Sequence, residues 1–310
     1  MYKNIFSTLM TRLIKIIKNP RRIILVLMNK GFLNWISDET YIKIQYRAFT
    51  GKKLSLLLPE TYNEKRQWLK LYGNLQNYIH LVDKFEVRNY ISETIGEDYL
   101  IPLIGVWDRF DDIDFDKLPE QFVLKCTHDS GGLVICTDKT KFNLKYARKK
   151  INRALKQNFY YKYREKQYKT INPKIICEKY MVDESGKELK DYKIFCFNGI
   201  PKVIHVDYDR FTNHKRNFYD IDWNYLPVSI KVPTDCNIII EKPSKLDKML
   251  NIAKILSKGY PHVRVDLYLI HDKIYFGELT FSHGAGFEKF EPEEFGYQMG
   301  CWLELPKDRI

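Results

Sequence analysis

Residues 263–270 and 274–280 are two runs of β-branched and aromatic residues with His271-Asp272-Lys273 between them, the pattern of a β-hairpin. A three-residue loop sets Ile270 opposite Ile274 and Asp266 opposite Glu278. Directly paired residues share a face, with Cβ atoms about 5 Å apart. Two ionised carboxylates that close repel by roughly 3 kcal/mol at an effective dielectric of about 20. A fold accepts the pair most readily with a cation between them, and carboxylates beside phosphates are what Mg²⁺ uses. Arg264, two residues before Asp266, lies on the same face. Two other readings stand beside this one. The face could be solvated and neutralised by Arg264 and water, or a two-residue loop could send the carboxylates to opposite faces.

The 310 residues, 45% hydrophobic and 29% charged, suit a soluble globular protein of two or three lobes. The 22 Tyr and 18 Phe favour a β-rich or mixed architecture. A net charge of +12 implies an anionic partner: nucleotide phosphates, an acidic saccharide, nucleic acid or a membrane surface. With no zinc finger, RNA-binding aromatic signature or long basic tail, nucleic acid is not expected. The six cysteines, Cys126, Cys136, Cys177, Cys196, Cys236 and Cys301, form no C-x-x-C and read as buried free thiols in a reducing cytoplasm.

At the N-terminus, Ile5, Phe6, Leu9, Met10, Leu13, Ile14 and Ile17 recur at helical spacing among Lys3, Arg12, Lys15 and Lys18. Residues 23–28 are a short apolar run, and nothing approaches the length of a bilayer span. A helix docked on the body is one expectation. The other is peripheral contact of residues 1–30 with the anionic inner face of a bacterial cytoplasmic membrane. Helices are expected over 60–72, 83–94, 143–166 and 245–258, and strands over 122–126, 133–136, 174–181, 189–198 and 201–209. Residues 102–122 read as a loop whose acidic cluster, Asp108, Asp111, Asp112, Asp114 and Asp116, suggests a metal site on one reading and a solvated linker on the other, the second being the expectation. Consecutive strands among helices indicate an α+β protein with antiparallel sheets.

Lys125 at a strand end before Ser130-Gly131-Gly132 suits phosphate, since glycine-turn N–H groups approach the oxygens while the lysine supplies charge. Asp83-Lys84 opens a helix, where Asp is also an ordinary N-cap. Glu178-Lys179-Tyr180-Met181 either lines an adenine slot or ends a strand. In order and spacing, these elements with Arg264-Val265-Asp266 and Glu278 resemble the ATP-grasp superfamily over residues 80–290. Thr61-Tyr62-Asn63-Glu64-Lys65-Arg66-Gln67-Trp68-Leu69-Lys70, residues 118–128, Asp191-Tyr192-Lys193 and Gly277-Glu278-Leu279-Thr280-Phe281 resemble its TupA-like branch, over residues 40–305. That branch is associated with teichuronopeptide and capsular polysaccharide biosynthesis.

The resemblance implies an ATP-grasp fold of two α+β lobes clamping ATP, with an N-terminal helical extension. Residues 1–79 would be the accessory region, 80–182 the first part with a small lid lobe, and 183–310 the C-terminal lobe with the metal hairpin. Lys84 and Lys125 would contact phosphates, Ser130, Gly131 and Gly132 would close over them, and Glu178 with Lys179, Tyr180 and Met181 would hold adenine. Lys193 is a further phosphate contact, Asp266 and Glu278 would ligate Mg²⁺, and Arg264 would face an acyl phosphate. Thr280 stands where many ATP-grasp ligases have the Asn of Glu-x-Asn, which leaves one metal or two open. His283, Gly284 and Gly286 are a turn near the acyl acceptor or a structural turn. The implied activity is ATP-dependent joining of a carboxylate, such as a uronic acid of a surface polysaccharide, to an amine or amino acid. The alternatives are a glycosyltransferase of capsular polysaccharide and a non-catalytic membrane-associated module with a residual nucleotide site.

Overall fold

A computed structural model of the chain describes residues 20–184, 186, 189–209 and 213–307. The amphipathic segment expected over residues 3–18 lies outside them. Three helices come first: α1 (Pro20–Asn29), α2 (Asp38–Thr50) and α3 (Tyr62–Tyr72). Helix α3 starts where Thr61 and Glu64 cap each other. Thr61 Oγ1 accepts from the Glu64 N–H at 3.3 Å, and Glu64 Oε2 accepts from the Thr61 N–H at 3.1 Å. The helix expected over 83–94 is split. A single turn, α4 (Ile79–Val82), ends at Asp83, whose Oδ1 takes the N–H groups of Phe85 and Glu86 before α5 (Val87–Thr94) begins.

The smaller lobe is an antiparallel sheet of β1 (Leu103–Trp107), β2 (Phe122–Cys126), β3 (Leu133–Cys136) and β4 (Ile175–Lys179), in the order β1-β4-β2-β3. Strand β1 corrects the loop reading of 102–122. Pro102 opens it and Gly105 sits at a bulge, so turn residues obscure a five-residue strand. Helix α6 (Leu144–Leu155) packs Ala147, Ile151 and Ala154 on Leu124, Val134 and Cys177. The long basic helix expected over 143–166 ends at Leu155, and α7 (Phe159–Tyr163) is a separate turn capped by Asn158.

The larger lobe is a six-stranded antiparallel sheet of β5 (Asp191–Phe197), β6 (Ile200–Tyr208), β7 (Lys215–Asp220), β8 (Tyr225–Leu226), β10 (His262–Ile270) and β11 (Lys273–Thr280). Its order is β11-β10-β5-β6-β7-β8, and β9 (Ser229–Ile230) pairs separately with β12 (Phe290–Glu291). Alternation on β5 explains how one sheet serves two purposes. Ile194 and Cys196 point to α8 (Leu246–Ser257), whose buried Met249, Ile252, Ala253 and Leu256 form one helical stripe. Phe195 and Phe197 point the other way, onto Tyr62, Trp68 and α9 (Glu294–Trp302). Asp191 and Lys193 share that second face further along the strand, where charged groups replace the aromatic core. Cys126, Cys136, Cys177 and Cys196 are buried free thiols, but Cys236 and Cys301 are exposed, in a polar loop and on the outer side of α9. Among the described residues no helix is long and apolar enough to cross a membrane.

Candidate functional site

The hairpin turn is two residues, not three: Ile270 pairs with Lys273, and His271 and Asp272 both take positive φ, as a tight hairpin turn requires. Taken alone, that register would put Asp266 opposite Gly277 and send Glu278 to the other face. A bulge at Gly277 inserts one residue, shifts the ladder by one and returns Glu278 to face Asp266. The paired carboxylates are present by a different route from the one the loop length suggests.

Cross-strand pairing then lays Glu278, Asp266, Lys193 and His205 in a row over β11, β10, β5 and β6. Arg264 bridges the carboxylates. Its Nε donates to Asp266 Oδ1 at 2.6 Å, and its Nη2 donates to Asp266 Oδ2 at 2.7 Å, Glu278 Oε1 at 2.9 Å and Thr280 Oγ1 at 3.0 Å. Lys193 Nζ donates to Asp266 Oδ2 at 2.5 Å and also to Asp191. Burial pushes Asp266 up to about 6 against the pull of Arg264 and Lys193. Burial acts on Glu278 in the same direction, but Arg264, Lys84, Lys193 and the Thr280 hydroxyl outweigh it and hold the carboxyl at about 2. Arg264 Nη1 also bonds His283 Nδ1. A guanidinium N–H only donates, so Nδ1 is the acceptor and the imidazole proton sits on Nε2. Burial, with Arg264 nearby, keeps that ring neutral.

The facing wall comes from α5 and the smaller lobe. Lys125 Nζ donates to Glu178 Oε2 at 2.6 Å, and Arg88 Nη1 reaches Glu178 Oε1 at 3.4 Å. Lys84 Nζ donates to the Asp129 carbonyl at 2.5 Å, and its N–H to the Thr127 carbonyl at 2.9 Å, so α5 is tied to the loop. In the 127–132 loop, Gly132 has its N–H taken by the Asp129 carboxylate at 2.8 and 2.9 Å, which leaves Ser130 and Gly131 as the exposed part. A Cβ on Gly132 would sit 2.7 Å from Cys126 Sγ and Ala154 Cβ. Lys84, Arg88, Lys125, Asp129, Ser130, Gly132 and Glu178 line a cleft of about 300 Å³ with Lys193, Arg264, Asp266 and Glu278, and Gly131 does not. Lys179, Tyr180 and Met181 do not line it. Strand alternation turns Glu178 inward and Lys179 outward; Tyr180 lies past the end of β4 and lines, with Lys179, a separate hollow that includes Pro102 and Gln121.

A second pocket, of about 600 Å³, shares Lys84, Asp129, Ser130, Arg216, Arg264 and Glu278 with the first. Its outer wall carries Lys231 and Lys289, and its inner wall Phe159, Tyr163, Glu165 and Phe287. The 283–288 loop at its floor holds Gly284, Ala285 and Gly286 at positive φ. Helix α3 grips that loop: Asn63 Nδ2 donates to the Glu288 carbonyl at 2.7 Å, Gln67 Nε2 to those of Ala285 and Gly286 at 3.0 and 2.7 Å, and Lys70 Nζ to Ala285 at 2.6 Å. The 283–286 turn therefore belongs to the pocket as well as to the scaffold. Arg88, Asp129, Glu165 and Arg216 add to the residues singled out from sequence. Of these only Arg88 carries a local signal, one helical turn after Lys84.

The donor set suits a divalent cation in kind, since Asp266 and Glu278 share a face and, among the described residues, none donates a hydrogen bond to Glu278 Oε2. Both Asp266 oxygens are taken by Arg264, so a shared cation would displace the guanidinium from one of them. Among the described residues no cluster of three or more His, Cys, Asp or Glu is arranged for a metal. Remaining ligands would come from phosphate oxygens and water. The acidic stretch 108–116 is surface ion pairing: Arg109 with Asp112 at 2.7 Å, Lys117 with Asp114 at 3.0 Å and Arg148 with Asp111 at 3.1 Å.

Comparison with known proteins agrees with this architecture. The TupA-like ATPgrasp family matches residues 64–303. No curated protein matches. Among solved structures, D-alanine–D-alanine ligase from Bacillus anthracis is 18% identical, over 69% of this chain and 62% of that one, at a TM-score of 0.39. The Helicobacter pylori enzyme of the same name is 11% identical over 80% and 70%, at 0.41. A RimK domain ATP-grasp protein from Sphaerobacter thermophilus DSM 20745 is 9% identical over 74% and 69%, at 0.39. The chain thus spans less than two thirds of the Bacillus anthracis ligase, and likenesses at these scores add no weight to the family match. With that match over most of its length, the chain belongs to the TupA-like ATPgrasp family.

Proposed function

We propose that the chain is an ATP-dependent carboxylate–amine ligase that works through an acyl phosphate. The observation that carries this is the pair of pockets meeting at Lys84, Arg264 and Glu278. One is a narrow, cation-lined cleft for a nucleotide. The other is wider, with basic and aromatic walls, for a carboxylate and an amine. Lys84, Lys125 and Lys193 bind and orient the phosphates, and Arg88 and Glu178 hold Lys125 in place. Asp266 and Glu278 would hold Mg²⁺, which when bound supplies charge neutralisation for the transferring phosphoryl group.

A substrate carboxylate oxygen attacks the γ-phosphorus, an O–P bond forms, the bond to the β-phosphate oxygen breaks and ADP leaves. The amine nitrogen then attacks the acyl carbon, a C–N bond forms, inorganic phosphate departs with the C–O electron pair, and the proton that the nitrogen sheds goes to that phosphate. Arg264 faces the charge that develops on the acyl intermediate. The 127–132 loop, tied to Lys84, shields that intermediate from water. The carboxylate is read as a uronic acid of a surface polysaccharide and the amine as an amino acid. That substrate reading rests on the family resemblance alone.

The test is turnover. With Mg²⁺, ATP, uronates and mixed amino acids the protein should release ADP only when both acceptors are present. Release of UDP from UDP-sugars without any ADP would select glycosyl transfer instead.

A further inference from the structure

Along α1 and the turns that follow it, large apolar side chains stand in solvent. Ile23, Val26 and Leu27 share one helical face, and beyond it Phe32 is 62% and Trp35 83% exposed. These rings are held, not loose. Trp35 Nε1 donates to the Phe32 carbonyl at 3.1 Å, and the N–H groups of Gly31 and Phe32 close onto Met28 and Leu27. From beneath, the buried Arg164 stacks on Tyr41 with its guanidinium 4.0 Å from the ring centroid, and its Nη2 donates to the Asn34 carbonyl at 3.1 Å. A fold gains nothing for its own core by fixing a tryptophan outward in this way.

Among the described residues, cations flank the patch on one side. A shallow groove next to it is walled by Lys30, Arg153, Lys156 and Lys162, while the acids that follow Trp35 in the chain, Asp38 and Glu39, are paired with Arg164 and Lys43. Exposed Trp and Phe flanked by cations suit the plane where lipid headgroups meet acyl chains: the rings enter the boundary and the cations sit over anionic headgroups. Each such cation contributes about 1 kcal/mol near an anionic leaflet.

We propose that this face, with Phe32 and Trp35 at its centre, docks the protein on an anionic bilayer surface. Docking stands independently of the ligase reading. Joined to that reading it has a consequence: Phe159 lines both the groove and the second pocket, so an acceptor carried on a lipid would be presented beside the pocket.

The experiment spins the full chain with phosphatidylcholine vesicles with and without phosphatidylglycerol. The wild type should pellet only with the anionic vesicles, and less as salt rises. Phe32→Ser/Trp35→Ser should weaken that binding by about tenfold or more. Both side chains are exposed, so the melting temperature should not move, and nucleotide binding serves as a second control on folding. Equal pelleting with and without phosphatidylglycerol, or a double variant that binds as the wild type does, overturns the proposal. So does self-association that the double variant abolishes in a chain that ignores vesicles, which would assign the face to a second copy.

Discussion

Asp266, Glu278, Thr280 and His283 all converge on Arg264, and its planar fork is what lets a single side chain reach them. Burial disfavours its charge, yet Asp266 and Glu278 more than restore it, so the guanidinium stays charged at any working pH. In the ligase mechanism that permanent charge stabilises the acyl intermediate. Arg264→Ala should therefore lower ADP release about 10²- to 10³-fold. Arg264→Lys should rescue little, because one ammonium nitrogen lacks the planar fork that holds both Asp266 oxygens and reaches Glu278, Thr280 and His283 as well. A steady-state ADP assay, with ATP-analogue binding as a control on folding, checks both, and near-normal turnover in either variant would contradict the assignment. The period of a strand makes it legible that Arg264 and Asp266 share a face. Its bond to His283 is not legible, because that residue arrives through a loop of left-handed residues that no periodicity describes.

At the scale of elements, the bulge on β11 decides the site, since it alone puts Glu278 on the face of Asp266. A Cβ on Gly277 would lie 3.0 Å from the Asp266 carbonyl oxygen and 3.1 Å from Tyr268 Cε2. Gly277→Ala should cost about 1–3 kcal/mol in urea unfolding and should also reduce turnover, because the methyl presses on Asp266. The grip of α3 on the 283–288 loop predicts a pH effect. Burial pushes the Lys70 ammonium down from 10.5 to about 7 despite Glu165. Between pH 7 and 10.5 the unfolded chain holds the extra proton, so stability rises with pH there, and below 7 the whole penalty stands. Glu165, raised by burial from 4.5 to about 7, acts in the lower window, where stability falls as pH rises. Lys70→Met should remove the rise above pH 7 in a series of urea midpoints and extend the falling window upward, because Glu165 loses the charge that holds its carboxyl down. The hairpin is legible from its β-branched and aromatic residues, and β2 from the apolar run Phe122-Val123-Leu124. Strand β7 is not, because buried Arg216 and Asn217 stand where apolar alternation would announce it. Lys179 and Tyr180 show the limit of a motif read as a block, since successive residues of a strand point to opposite faces and Tyr180 lies beyond the end of β4.

For the whole molecule, the arrangement of lobes matters more than either sheet. Lys125, Arg88 and Glu178 stand on one wall of the cleft and Lys193, Arg264, Asp266 and Glu278 on the other, with Lys84 tying α5 to the loop between them. The order of these groups along the chain was readable, whereas the shared wall between two pockets exists only once the lobes are placed. In the ligase reading a nucleotide in the cleft would touch both walls, so its binding free energy would add to the stability of that arrangement. At a concentration 100-fold above its Kd a ligand that binds only the folded state contributes about 2.7 kcal/mol, and a chain of this size should then melt roughly 5 °C higher. Mg²⁺-ATP should give that shift and UDP-sugars should give none. Lys125→Ala should lose most of the shift, because Glu178 is then left facing the phosphates with only Arg88 to balance it. Asp266→Asn/Glu278→Gln should shrink the shift specifically in the presence of Mg²⁺. A UDP-sugar that raises the melting temperature where ATP does not would mean that the cleft belongs to glycosyl transfer.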